Sequence, residues 1–157
     1  MDDAELASLL AGRAGCPYPG AWQDAPFAER VVDGVRFALV AVDPGLSALA
    51  VRRDDGSLWC LPEGGGRDLV NSGVAAFVAF TRAYDAAATE AAAYDGPGDG
   101  AGDGPDDDAA WEAAEEAAEA LTERLLEGFG ELDAAAVADE NSFWCVAAEE
   151  IGYGMSV

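Results

Sequence analysis

Short apolar runs separated by turn residues occupy the middle of the chain. The runs predict strands at residues 31–32, 35–42, 46–52, 57–61 and 67–70. Asp33-Gly34 separates the first two runs, and Asp43-Pro44-Gly45 places Pro and Gly where a type II turn needs them. Asp54-Asp55-Gly56 favours a tight hairpin with positive φ angles. Because neighbouring runs are joined by short turns, the pattern predicts a mainly antiparallel sheet.

The pattern changes from strand to helix near residue 72. Asn71 or Ser72 is the predicted N-cap, with a side chain that accepts from the first free amides of the helix. We expect this helix to extend from about residue 73 to 93. Apolar positions recur at three- and four-residue spacing on its predicted core face: Val74, Phe77, Val78, Thr81 and Tyr84.

Three further helices are predicted at the two ends of the chain. Residues 2–12 form the first, capped by Asp2 or Asp3. A second spans about 108–127, with glutamates outside an apolar stripe of Trp111, Ala114, Ala118, Leu121 and Leu125. After a short element at 132–137, residues 139–142 offer caps for a last helix over 143–151, and Gly152 is expected to end it in a left-handed conformation. The predicted architecture is therefore one α+β domain over 1–157, with helices around an antiparallel sheet.

Residues 94–108 differ from the rest of the chain. Six Asp, five Gly and two Pro fill thirteen of these fifteen positions, which leaves almost nothing to bury. The segment is predicted to be a flexible acidic linker inside the domain.

Charge restricts the class of partner. The chain has 31 acidic and 8 basic residues, a net charge of -23, and every basic residue is Arg. So acidic a surface repels nucleic-acid phosphates and anionic membranes, and it attracts a cationic protein. The alternative is that the charge only keeps the protein soluble, in a cytosol where many proteins are acidic. The absence of Lys, with abundant Ala, Gly and Asp, indicates a GC-rich, actinobacterial coding sequence.

The sequence contains few residues that could support catalysis or bind metal. It has no His, and its three cysteines, Cys16, Cys60 and Cys145, are widely spaced, which favours reduced thiols over a zinc site. The aspartates after residue 94 do not have EF-hand spacing, and Gly64-Gly65-Gly66 has no Lys to complete a phosphate loop. We expect no cofactor, no metal and no enzymatic activity. Without a basic leader or a membrane-length apolar run, a cytoplasmic location is expected.

Two separated segments together resemble the SUKH superfamily. The first contains Leu58-Trp59-Cys60-Leu61, then Leu69-Val70-Asn71-Ser72 and Phe77; the second contains Ser142-Phe143-Trp144 and Glu149-Glu150-Ile151-Gly152. The chain is most similar to the fourth SUKH subgroup of bacterial polymorphic-toxin immunity proteins, over about 31–85 and 139–155. The residues of the structural motif are Trp59, Asn71, Ser72, Phe77, Phe143, Trp144 and Ile151.

The resemblance implies a protein that neutralises a nuclease or nucleic-acid deaminase toxin by direct contact. Other SUKH members imply an alternative, a non-enzymatic regulatory or scaffold domain acting on a host protein. Charge places the expected toxin-binding surface on the Glu-rich helix and the end of the linker: Asp106, Asp107, Asp108, Trp111, Glu112, Glu115, Glu116 and Glu119. Neither of these two functions predicts an oligomeric state.

Overall fold

Six strands form one antiparallel sheet, and the helices pack on one of its faces. The computed structural model describes residues 1–94 and 105–155. The strands are β1 (Ala21–Trp22), β2 (Glu29–Val32), β3 (Val35–Asp43), β4 (Ser47–Arg52), β5 (Leu58–Pro62) and β6 (Asp68–Asn71). Their order is β1-β3-β4-β5-β6, with β2 also paired to β3. Every pairing is antiparallel, which confirms the predicted α+β class.

The helices are α1 (Asp3–Leu10), α2 (Val74–Ala92), α3 (Pro105–Leu132) and α4 (Phe143–Met155), with a 3-10 helix at Ala134–Val137. The Asp2 carboxylate caps α1 by accepting from the Glu5 amide at 2.8 Å, as predicted. Since α3 begins at Pro105, the last residues of the predicted linker are helical. The remainder of that linker, 95–104, lies outside the described residues.

One of two predicted Asp-Gly turns differs from the chemistry expected for it. At Asp33-Gly34 both φ angles are positive, at 51° and 77°, which fits a two-residue hairpin turn. At Asp55-Gly56 only Gly56 is left-handed. The Asp55 carboxylate instead accepts from the Ser57 amide at 2.9 Å and from the Ser57 hydroxyl at 2.6 Å. The hairpin forms where it was predicted, but side-chain hydrogen bonds shape it.

Two apolar clusters lie on opposite faces of the sheet. Leu49 and Val51 of β4 belong to the main cluster under the helices, whereas Ala50 between them packs with Phe37 and Leu61 on the other face. The main cluster contains the largest buried side chains, including Trp144 at 0% exposure. It also fixes the position of α3 and α4 relative to the sheet.

The last helix does not end at Gly152. This glycine lies inside α4, which continues to Met155, so the predicted left-handed C-cap is wrong. Gly152 is needed for packing instead. A Cβ at this position would collide with the Thr122 hydroxyl and lie 3.1 Å from the Ala118 carbonyl oxygen. The absence of a side chain therefore lets α4 approach α3 closely.

Candidate functional site

The junction between β6 and α2 is held by a buried hydrogen-bond network. The Asp133 carboxylate, 7% exposed, accepts from the Ser72 amide at 2.7 Å, the Ser72 hydroxyl at 2.9 Å and the Asn71 amide nitrogen at 3.2 Å. The Asn71 side-chain oxygen accepts from the Trp144 indole nitrogen at 2.8 Å. Four residues from distant parts of the chain thus satisfy one another's polar groups.

This network corrects the predicted role of Asn71 and Ser72. The N-cap of α2 is Gly73, in an extended conformation and with no side-chain cap bond. Asn71 is the last residue of β6, and its side chain joins the sheet to α4. Ser72 joins the same junction to Asp133. Both residues are structural, but they bind across the fold rather than along the helix.

Asp133 was not predicted. Its only sequence signal is a single acidic residue between Leu132 and the apolar run 134–137. In such a position a carboxylate needs several donors, because a buried charge without partners is strongly unfavourable. Here the donors come from residues 61 and 62 positions away. No local pattern connects them, and only the tertiary structure shows the pairing.

Aromatic rings surround the network. Trp144 packs edge-on against Phe143 with ring centroids 5.1 Å apart, and its centroid lies 6.0 Å from that of Phe77. Phe80 stacks on Phe129 at 4.1 Å. The predicted motif residues Phe77, Phe143 and Trp144 therefore meet in one cluster.

The other two predicted motif residues lie at the margins of the core. Trp59 is half-buried on the second face of the sheet, and its indole donates to the Ser57 hydroxyl at 2.7 Å. Ile151 packs half-buried against the main cluster from α4. Neither residue contacts the Asp133 network through a hydrogen bond in the described structure.

The predicted binding residues form an exposed face of α3. Trp111 is 40% exposed, and Asp108, Glu112, Glu115, Glu116 and Glu119 are all exposed. Asp106 and Asp107 lie in the first turn of α3, but their side chains are outside the described residues. The stripe predicted for this helix is confirmed at Ala114, Ala118, Leu121 and Leu125, which are buried.

Acidic charge is concentrated at this end of the protein. Residues 105–155 contain 15 acidic residues and one basic residue, whereas residues 1–94 contain 13 acidic and seven basic residues. The one basic residue, Arg124, is paired with Glu90 of α2 at 2.7 Å. In the described parts of the chain, Glu112, Glu115, Glu116 and Glu119 form no ion pair. The exposed face of α3 therefore produces a strong negative electrostatic field, because nearby basic side chains do not neutralise its carboxylates.

Basic residues of the sheet are paired locally instead. Arg53 contacts Asp3 at 2.6 Å and Glu29 at 3.1 Å, and this guanidinium holds the pKa of the Asp3 carboxyl below its ordinary value. Arg52 lies 3.5 Å from Asp55. Both arginines therefore balance nearby carboxylates.

The described residues offer little for catalysis or metal binding. No group of three or more His, Cys, Asp or Glu among them is arranged to hold a metal ion. Burial raises the pKa of the Cys16 thiol to about 11 and also raises that of Cys60. A raised pKa lowers the thiolate fraction, so neither thiol is an activated nucleophile.

Within residues 1–94 and 105–155, every helix is too short or too polar to cross a membrane.

A family model for SUKH-4 immunity proteins matches residues 14–150. The chain belongs to the SUKH-4 immunity protein family. The match covers the first segment of the sequence resemblance, the second as far as Glu150, and α3 between them. No curated protein and no solved structure matches the chain.

Proposed function

We propose that this SUKH-4 protein is a non-enzymatic immunity protein that binds a cognate bacterial toxin domain and neutralises it by direct contact through the acidic face of α3. The toxin is of the nuclease or nucleic-acid deaminase class. The observation that carries the proposal is the 15 acidic residues and single Arg between 105 and 155, in a chain of the SUKH-4 immunity family.

Electrostatics supports the toxin class that the family resemblance implies. An enzyme that acts on nucleic acid needs basic side chains to contact phosphates. A negatively charged helix can occupy the same basic surface, and the exposed glutamates of α3 that form no ion pair with any described residue are available for this contact. Trp111, 40% exposed beside Glu112 and Glu115, supplies apolar area of the kind that anchors protein interfaces.

The first experiment tests whether a toxin is the partner. The protein is co-expressed with the product of the toxin gene beside its own gene, and then used to capture that product at low salt. Rescue of growth with capture supports the proposal. Absence of any binding at low salt contradicts it. Growth or morphology defects on deletion, in a genome without an adjacent toxin gene, would instead favour a regulatory or scaffold domain.

The second experiment tests the surface. Reversing Glu112 and Glu116 to Lys is expected to lower the association rate with the toxin about tenfold at low salt, because steering depends on the local field. Reversing Glu5 and Asp24, two exposed carboxylates outside α3, changes the net charge equally. Stopped-flow association rates that fall equally for both double variants would show that only total charge matters. Reversing Glu112, Glu115, Glu116 and Glu119 together is expected to slow association further.

A further inference from the structure

A groove runs between α3 and α4 at the acidic end of the protein. Its volume is about 430 Å³. The floor is formed by Ala118 and Thr122 of α3 and by Gly152 of α4, and Tyr153 lies at one side. Because Gly152 has no side chain, the two helices approach closely along the floor of the groove.

Four carboxylates surround this floor. Glu115, Glu119 and Glu123 follow one another at four-residue spacing on α3, and Glu149 faces them from α4. None of the four takes part in an ion pair within the described residues. The groove therefore combines an apolar floor with a negative rim.

The spacing along α3 separates the predicted binding residues into two sets. Trp111, Glu115, Ala118 and Thr122 recur at three- and four-residue intervals, so Trp111 lies on the groove side, one turn before Glu115. Glu116 does not line the groove. An exposed aromatic ring is thus expected on the same side of α3, beyond the residues that line the groove.

We propose that this groove receives an arginine side chain of the toxin, an inference that rests on the proposed function. The aliphatic stem of Arg would lie on the Ala118 and Gly152 floor, and its guanidinium would reach the carboxylates of the rim. Arginine suits the site better than lysine, since a planar guanidinium can bind carboxylates in pairs and stack on the Tyr153 ring. The groove supplies specificity, and the rest of the acidic face supplies steering.

Matched pairs of neutralised glutamates test the groove with the toxin as ligand. Glu119→Gln with Glu123→Gln removes two rim charges; Glu127→Gln with Glu131→Gln removes two charges at the same spacing on α3, outside the groove. We expect the first variant to weaken the equilibrium affinity about tenfold relative to the second, mainly through faster dissociation. Equal losses in the two variants would overturn the groove proposal and leave the proposed function intact.

A toxin-independent measurement keeps the two proposals separate. N-acetyl-arginine methylamide is titrated into ¹⁵N-labelled protein at constant ionic strength, with the lysine and norleucine analogues as comparison probes. We expect saturable amide shifts confined to Ala118, Thr122, Gly152 and Tyr153, with arginine binding more tightly than lysine, and these shifts should weaken in the Glu119→Gln, Glu123→Gln variant. Shifts spread evenly along α3, no arginine preference, or no binding would overturn the proposal. Failure to capture any toxin would contradict the proposed function, whereas this titration would still show whether the groove binds an arginine side chain.

Discussion

The carboxylate of Asp133 and those of the outer α3 face are the same chemical group in opposite surroundings. Asp133 is buried and accepts three hydrogen bonds, whereas Glu112, Glu115 and Glu119 are exposed and have no ion-pair partner among the described residues. The buried group joins distant elements, and the exposed groups generate a field. Stability and proposed binding therefore depend on different acidic residues, which substitutions can separate.

Removing the buried carboxylate should have the largest effect on folding. Asp133→Ala leaves the Ser72 amide and the Asn71 side chain without their acceptor, and a buried unsatisfied polar group costs about 1–3 kcal/mol. We expect the free energy of unfolding to fall by about 3 kcal/mol. Urea unfolding followed by circular dichroism measures this. Glu127→Ala is the control on the exposed face, with an expected change within about 0.5 kcal/mol. Equal losses of unfolding free energy in Asp133→Ala and Glu127→Ala would contradict the distinction between the buried and the exposed carboxylates.

Trp144→Phe should have the next largest effect. The substitution keeps an aromatic ring beside Phe80 and Phe129, but it removes the indole donor to Asn71. The loss of a buried hydrogen bond and of packed volume should lower the free energy of unfolding by about 2 kcal/mol. In the Asp133→Ala background the loss should be smaller if the two residues stabilise the same junction, and a double-mutant cycle measures this coupling. If the two losses of unfolding free energy simply add, Asp133 and Trp144 stabilise the fold independently.

Neutralising the exposed face should have the smallest effect, with the opposite sign. Glu119→Gln with Glu123→Gln removes like-charge pairs at four-residue spacing along α3, each unfavourable by about 0.3 kcal/mol. The melting temperature should rise slightly at low salt, and the gain should shrink as salt screens the repulsion. Thermal unfolding at two ionic strengths measures both. A clear loss of stability would indicate that these carboxylates have structural partners.

Local sequence patterns predicted most of the fold. Alternation and turn residues placed β2 to β6 in order, and apolar periodicity placed α2 and the buried side of α3. The two-residue strand β1 was not predicted, because Ala21–Trp22 lies between prolines in a segment without alternation. Two residues are too few to produce a periodic signal.

The errors have a common physical origin. Asn71 and Ser72 have good N-cap side chains, and Gly152 is a good C-cap residue, yet all three make tertiary contacts instead. Ser72 bonds to Asp133 and Asn71 bonds to Trp144, so neither side chain caps α2. Gly152 packs against Thr122 inside α4, so it does not end that helix. Gly152 also lines the groove between α3 and α4, so the sequence could indicate the acidic face but not the concavity within it.

The separation in sequence between the members of the Asp133 network has a consequence for protein synthesis. Asn71 and Ser72 bond to residues 61 to 73 positions later in the chain. While the ribosome is still making α3, the sheet has neither the Asp133 acceptor nor the Trp144 ring, and only α1 and α2 are available to cover its helix-facing side. Folding must therefore wait for the C-terminal residues, because these long-range contacts close last. A message truncated before codon 144 would yield a chain that has its negative surface but lacks a completed core.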